Sequence, residues 1–497
     1  MEAIGTFIGM AASTVAVLLW LLTFHKRFFI SIVKTEKVAA YGVYTEWGEA
    51  CRTHFWYLIK ALFPGNSPST QDRLTLERQV QEAFHQQFGS DQGGNVLIAH
   101  SCRSIFYYVI RYFLSNAKEV HGRRTIRICL PSLHFGSFYR IIRGIEKSLD
   151  CCIELYEVDL NENDWTLDQD SVDEEEFKKC DLLMCQHLFG LPLNQDRLVK
   201  MARKFDIPIL EDCVQSGSLF GKYRGYAESD IIMYSGGLDK TPPCFGGGFG
   251  FFRNTPWGMK IYEHCNSLHN ALPLDTWQGR FMTCFNIMVH LMIAKDSFGF
   301  NSLMGLVSYV WLTERGDYIN WYAMSLKVRK AKAITPFQHT ESGFLRRPSA
   351  YQLQSMLYGL SRKERLKEVA QHEFRSRELL LSTIPPKYHR ALFPWMTAGV
   401  LEQYKEMQGV SEFSWVVSPI GDRMHLCQFL NDHFIVVMIN TTWEANEKSK
   451  SAVGKCVNDN LIYLPNINEA TDELIVRVGK ALTMYCQDLE KTGEVMF

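Results

Sequence analysis

The chain has 497 residues, 46% hydrophobic and 22% charged, the balance of a folded protein and not of a disordered, collagenous or wholly membrane-embedded one. With 53 Lys and Arg against 54 Asp and Glu, the net charge of −1 gives no general attraction to nucleic acid. Fourteen cysteines at irregular spacing exclude a disulfide scaffold, and the absence of any CxxC pair removes the usual zinc-ligand spacing, so no metal is expected.

Ile4 to Phe24 runs without a charge. As a helix it would extend about 31 Å, the thickness of a bilayer core. A cleaved secretory signal is the alternative. Against it, the apolar run exceeds a signal core, Glu2 stands where a basic segment belongs, and Lys26, Arg27, Lys34 and Lys37 follow. Residues 1–37 are therefore expected to form a single-pass anchor with its basic flank, and the body, in reduced surroundings, to face the cytosol. Residues 38–70 read as a linker ending near the turn-rich Pro64–Pro68.

The next segment, 72–88, has Leu74, Leu76, Val80 and Phe84 at helical spacing. Apolar runs then alternate with amphipathic stretches: NVLIAH (95–100), TIRICL (125–130), CCIELYEV (151–158), DLLMCQHLF (181–189), IPILED (207–212), DIIMYS (230–235) and GFGFF (248–252). Strands alternating with helices predict an α/β domain with a mainly parallel sheet, over 71–345. Within it, 256–342 reads as an apolar, helical insertion; His290, Lys295 and Asp296 interrupt its stretch 281–311, which suits buried or membrane-surface helices better than spans. Residues 346–497 predict a smaller α+β domain. It holds a helical segment over 349–381 bent near Gly359, strand-like HFIVVMIN (433–440) and LIYLP (461–465), and a final helix over 471–489.

In parallel sheets ligands bind beyond the carboxyl ends of the strands. There Glu211 and Asp212 end IPILED, with Gln215 three residues on. Ser235 ends DIIMYS, and Lys240 and the run Gly246–Gly248 follow. A lysine, a carboxylate and a hydroxyl beside a helix start are what pyridoxal phosphate requires. The amine forms a Schiff base with its aldehyde, the carboxylate pairs with the pyridinium nitrogen, and hydroxyl and backbone amides hold the phosphate.

HLFGLPLNQDRLVKMARKFDIPILEDCVQSGSLFGKYRG (187–225) resembles the H-x-x-G-x-P … IEDxAQ … G stretch of the DegT/DnrJ/EryC1/StrS sugar aminotransferases, which have the fold-type-I pyridoxal phosphate architecture. SDIIMYSGGLDKTPPCFGGGFGFF (229–252) resembles their SFxxxK … GGG segment, and VNDNLIYLPNINEATDEL (457–474) their closing LP motif. The similarity runs from about 72 to 485. It implies Lys240 as the Schiff-base lysine, Asp212 as partner of the pyridine nitrogen, Gln215 at the ring hydroxyl, Ser235 at the phosphate and Phe135 stacked on the ring. The turn Ser101–Ser104 stands where the family has its S/N-G-T-A phosphate cradle; Cys102 and Arg103 replace its glycine and threonine, and Ser104 follows. Leu345 replaces the asparagine that reaches a neighbouring subunit's phosphate, and His187 reads as structural.

The resemblance further implies a homodimer that takes an amino acid donor and a keto acceptor on a nucleotide-linked sugar. Two other readings stand beside it. One is an α-oxoamine-synthase-like enzyme of lipid synthesis, although its histidine over the ring is missing near Gln215. The other is a membrane scaffold that keeps the fold without catalysis.

Overall fold

The computed structural model describes residues 70–88, 93–162, 165–188, 194–215, 223–237, 240, 244, 246–274, 344–395, 415–433, 435, 437–439, 443–445, 451–464 and 470–493. The predicted anchor and most of the apolar insertion lie outside them. Among the described residues no helix is long and apolar enough to cross a membrane.

Each apolar run of the first half becomes a strand: β1 (Gly94–Ala99), β2 (Glu119–Val120) and β3 (Arg123–Pro131), β4 (Leu133–Phe135), β5 (Cys152–Val158), β6 (Leu182–Gln186), β7 (Ile209–Asp212), β8 (Ile231–Ser235) and β9 (Gly248–Arg253). The main sheet has the order β1-β9-β8-β7-β6-β3-β2, with β5 also on β3. Strands β5, β3, β6, β7 and β8 run parallel, and β1 runs in the same direction; β9 lies antiparallel between β8 and β1.

The helices between them follow the burial pattern. In α2 (Cys102–Ser115), Ile105, Phe106, Val109, Ile110, Phe113 and Leu114 fall on one side and are buried. Helix α1 (Thr70–Phe88) buries Val80, Phe84 and Phe88, but Leu74, expected on the same stripe, is exposed. Arg73 takes the inner position instead and pairs with Glu77 at 2.9 Å, one turn on. With α3 (Gly136–Leu149), α4 (Glu174–Phe177), α5 (Asp196–Lys204) and α6 (Pro256–Ala271), helices cover both sheet faces. Alternation along the strands serves both: Leu182, Met184 and Leu210 face the core under α2 and α3, whereas Leu183, Cys185 and Ile209 face the opposite core.

The predicted bend falls at Ser361–Arg362, between α7 (Ala350–Leu360) and α8 (Lys363–Thr383). After α9 (Pro386–Leu392) comes a small antiparallel sheet of β10 (Trp415–Val417), β11 (Met438–Ile439) and β13 (Leu461–Tyr463), packed by α10 (Arg423–Asp432) and α12 (Asp472–Thr492). Thr471 caps α12 by accepting from the Leu474 amide. Strand β12 (Trp443–Ala445) returns to pair with β4, and Ser451, which caps α11 (Ala452–Asn460), donates to Asp159. The core of the C-terminal half is thereby continuous with that of the first.

Two chain segments join the body at one corner. Leu274 bridges Arg347, whose amide and Nε donate to the carbonyls of Pro273 and Leu272 at 3.0 Å each. Close by, His269 of α6 lies 4.0 Å from Glu77 near the start of α1.

Candidate active site

Three parallel strands end side by side in Gln186, Asp212 and Ser235. Gly248 opens β9 opposite Ser235 on one side and Ala99 on the other. The chain turns from β8 into β9 through Gly236, whose amide donates to the Gly247 carbonyl and whose carbonyl accepts from Cys244 and Gly246. Gly246 and Gly247 hold φ of 113° and 106°, a region that side chains resist. A Cβ on Gly248 would lie 2.3 Å from the Cys102 amide nitrogen. The glycine run thus lets the first turn of α2 sit directly on the sheet, with Ser101 bridged to Gly247.

Asp212 is 4% exposed. Its Oδ1 accepts from the Val214 amide at 3.0 Å and its Oδ2 from Gln186 Nε2 at 3.4 Å. Burial pushes its carboxyl up to about 6; the Val214 amide and the charges of His187 and Lys240 oppose that rise, and Glu211 adds to it. Lys240, half-buried, is therefore close enough for its charge to act on Asp212. Its amide donates to the Gly237 carbonyl, and the Gly237 amide donates to Ser235 Oγ at 3.2 Å.

At the turn before α2, the Cys102 thiol donates to the Tyr234 carbonyl at 2.6 Å, and burial, with Asp212 nearby, pushes it far above its ordinary range. Ser104 is fully buried and donates to the Phe344 carbonyl at 2.6 Å. The Ser101 hydroxyl makes no cap bond and lies 3.3 Å from Ser104 Oγ. Arg103 is half-buried; burial, with Arg140 adding a smaller push, lowers its proton affinity. Gln215 is half-buried in the turn after Asp212. Phe135 stands on another element, at the N-cap of α3, and packs with Val214 and Leu345 against the core under α2. The structure thus gathers Lys240, Asp212, Ser235 and Cys102 at one set of strand ends, with Arg103 and Ser104 in the first turn of α2.

Glu211, next to Asp212, faces the other side of the sheet. Its Oε1 accepts from Tyr223 at 2.5 Å, His187 at 2.8 Å and the Cys213 thiol at 3.5 Å. Its Oε2 accepts from the Tyr226 amide at 2.8 Å and Ser229 at 2.5 Å. Burial alone would raise this carboxyl, but the donors hold it below the ordinary range. His187, Glu211 and Cys213 carry metal-ligating atoms within 4.8 Å of one another, and this hydrogen bonding already engages them. Gln186 carries little signal in the sequence, where it is a polar residue inside the otherwise apolar run 181–189.

No family model matches the chain. The GDP-perosamine synthase of Escherichia coli O157:H7 is 30% identical over 169 residues, which span 33% of this chain and 41% of that protein. Among solved structures, DesI in the presence of its TDP-sugar product superposes with a TM-score of 0.53 at 14% identity, over 89% of this chain and 92% of that one. A DegT DnrJ EryC1 StrS aminotransferase from Brucella abortus gives 0.50 at 13% identity, over 87% and 95%. The fold is that of these aminotransferases, as the motifs implied.

Proposed function

We propose that the protein is a pyridoxal-phosphate-dependent aminotransferase that moves an amino group from an amino acid to a keto group on a nucleotide-linked sugar. The observation that carries this reading is the convergence of Lys240 and buried Asp212 on one set of strand ends, beside a helix start seated on glycine. That arrangement fits the cofactor: it offers an amine, an anion and a helix N-terminus at one set of strand ends. When bound, pyridoxal phosphate supplies an electron sink for the carbon that loses its proton.

The chain's own residues do the rest. Asp212, ionised above about pH 6 before cofactor arrives, would hold a proton on the ring nitrogen. The Lys240 amine would hold the cofactor and would carry the proton at the substrate carbon. Cys102 and Ser104 are engaged with protein carbonyls, so the backbone of the α2 first turn, Ser101, Ser235 and the Arg103 guanidinium are the groups that would hold the phosphate. Gln215 and Phe135 would flank the ring. The sugar acceptor is supported by the GDP-perosamine synthase and by the TDP-sugar product of DesI.

We extend the proposal to membrane attachment through residues 4–24, on the strength of their uncharged sequence.

The enzyme reading is tested by spectroscopy. Protein supplied with pyridoxal phosphate should develop a visible absorption band that Lys240→Ala abolishes. A colourless wild-type protein that takes up no cofactor would overturn the assignment.

A further inference from the structure

The ends of β6 and β7 carry two polar pairs in register. Gln186 lies opposite Asp212 across the parallel ladder, and each is followed or preceded by a second polar group. Because side chains alternate between faces, Gln186 and Asp212 share one face and His187 and Glu211 the other. Each residue of one strand end bonds its counterpart: Gln186 Nε2 to Asp212 Oδ2 at 3.4 Å, and His187 Nε2 to Glu211 Oε1 at 2.8 Å. All four are buried.

Gln186 is itself held. Its carbonyl accepts from Gln195 Nε2 at 3.0 Å, and the Gln195 amide donates to Tyr226 Oη at 2.7 Å. The Tyr226 amide in turn donates to Glu211. On the back face a fixed carboxylate thus clamps the strand end, and on the front an amide is aimed at the carboxylate that does chemistry.

We propose that Gln186 is a positioning residue for Asp212, its amide fixing the carboxylate's orientation and favouring its charged form. The physical reason is that an amide N–H can donate to a carboxylate but gains nothing from the acid form's hydroxyl side. At a site with little water, one donor is a large share of the solvation the anion receives. The inference deepens the aminotransferase reading, since an ionised Asp212 is what the ring nitrogen needs, but it concerns a bond that exists without cofactor.

Charged and titratable groups facing Asp212 are Glu211 on its own strand, His187 after β6, Lys240 after β8 and the Cys102 thiol from α2. Gln186→Leu removes the donor at similar volume and leaves those groups in place. Gln186→Asn, whose shorter side chain falls short of Asp212, serves if the leucine variant fails to fold.

The test compares cofactor-free full-length protein with its Asp212→Asn derivative by denaturant unfolding across pH. The difference between the two follows protonation of Asp212, with a midpoint expected near the value of about 6 set by its burial. In the Gln186 variant the midpoint should rise by about half to one unit, a three- to tenfold fall in the ratio of anion to acid at fixed pH. Cofactor affinity at pH 7, read from the visible band, should weaken in parallel. An unmoved midpoint overturns the proposal whether or not the protein takes up cofactor; a moved midpoint in a protein that binds none supports it while sinking the aminotransferase reading.

Discussion

Asp212 carries a cost in the absence of its partner. An acid whose folded-state pKa is raised binds its proton more tightly when folded than when unfolded. Stability from this group is therefore greatest below the unfolded value and declines as pH rises toward about 6, after which the deficit is constant. The displacement corresponds to roughly 2–3 kcal/mol. Asp212→Asn should consequently stabilise cofactor-free protein at pH 7 by an amount of that order, and have little effect near pH 4, in chemical denaturation. Loaded protein should retain cofactor in this variant and lose most transamination, because the amide cannot keep a proton on the ring nitrogen. Unchanged turnover would show that another group serves the ring. Conversely, uptake of cofactor by the cofactor-free wild-type protein should weaken as pH drops through about 6, where Asp212 takes up its proton.

At the scale of elements, the junction of β8, β9 and α2 depends on glycine. A methyl group at Gly248 would strike backbone of Ser101 and Cys102, which cannot swing aside as a side-chain tip can. Gly248→Ala should cost about 3 kcal/mol or more in unfolding free energy and weaken cofactor binding by lifting the start of α2. Gly122→Ala is the control: its φ of 78° is strained, but nothing lies within 4 Å, so about 1 kcal/mol is expected with no effect on binding. A larger loss at Gly122 than at Gly248 would contradict the packing account.

The strands were readable in advance because each is a short apolar run closed by a polar residue or a turn. Asp212, Ser235 and Lys240 stand out in the same way, as polar groups at or just past strand ends amid apolar surroundings. What the sequence withheld depends on register and close approach. The antiparallel insertion of β9 between β8 and β1 follows from the turn at Gly236 to Gly247, and nothing in GFGFF announces its direction. Gln186 becomes meaningful only once the ladder sets it against Asp212. Likewise, the inward turn of Ser104 toward the Phe344 carbonyl joins residues 240 positions apart.

For the whole molecule, the proposal predicts that the described body and the apolar segments are separable. Replacing 275–343 by a short Gly/Ser linker should leave the unfolding midpoint within a few degrees and the visible band intact, because loop closure cost grows only with the logarithm of length. Removing 1–37 should shift the protein from the membrane pellet to the supernatant. A collapse in stability after the first change would mean that the segment is part of the core; an unchanged pellet after the second would place attachment elsewhere.

The bridge between Leu274 and Arg347 gives this separability a further meaning. Chain leaves and re-enters through one narrow neck, sealed by the Arg347 bonds to Pro273 and Leu272. Such a neck fixes the two ends of the intervening chain against each other, whatever its length. Under the proposed function, the piece between could then be exchanged, lengthened or trimmed while the strand ends at Asp212 and Ser235 stay in place.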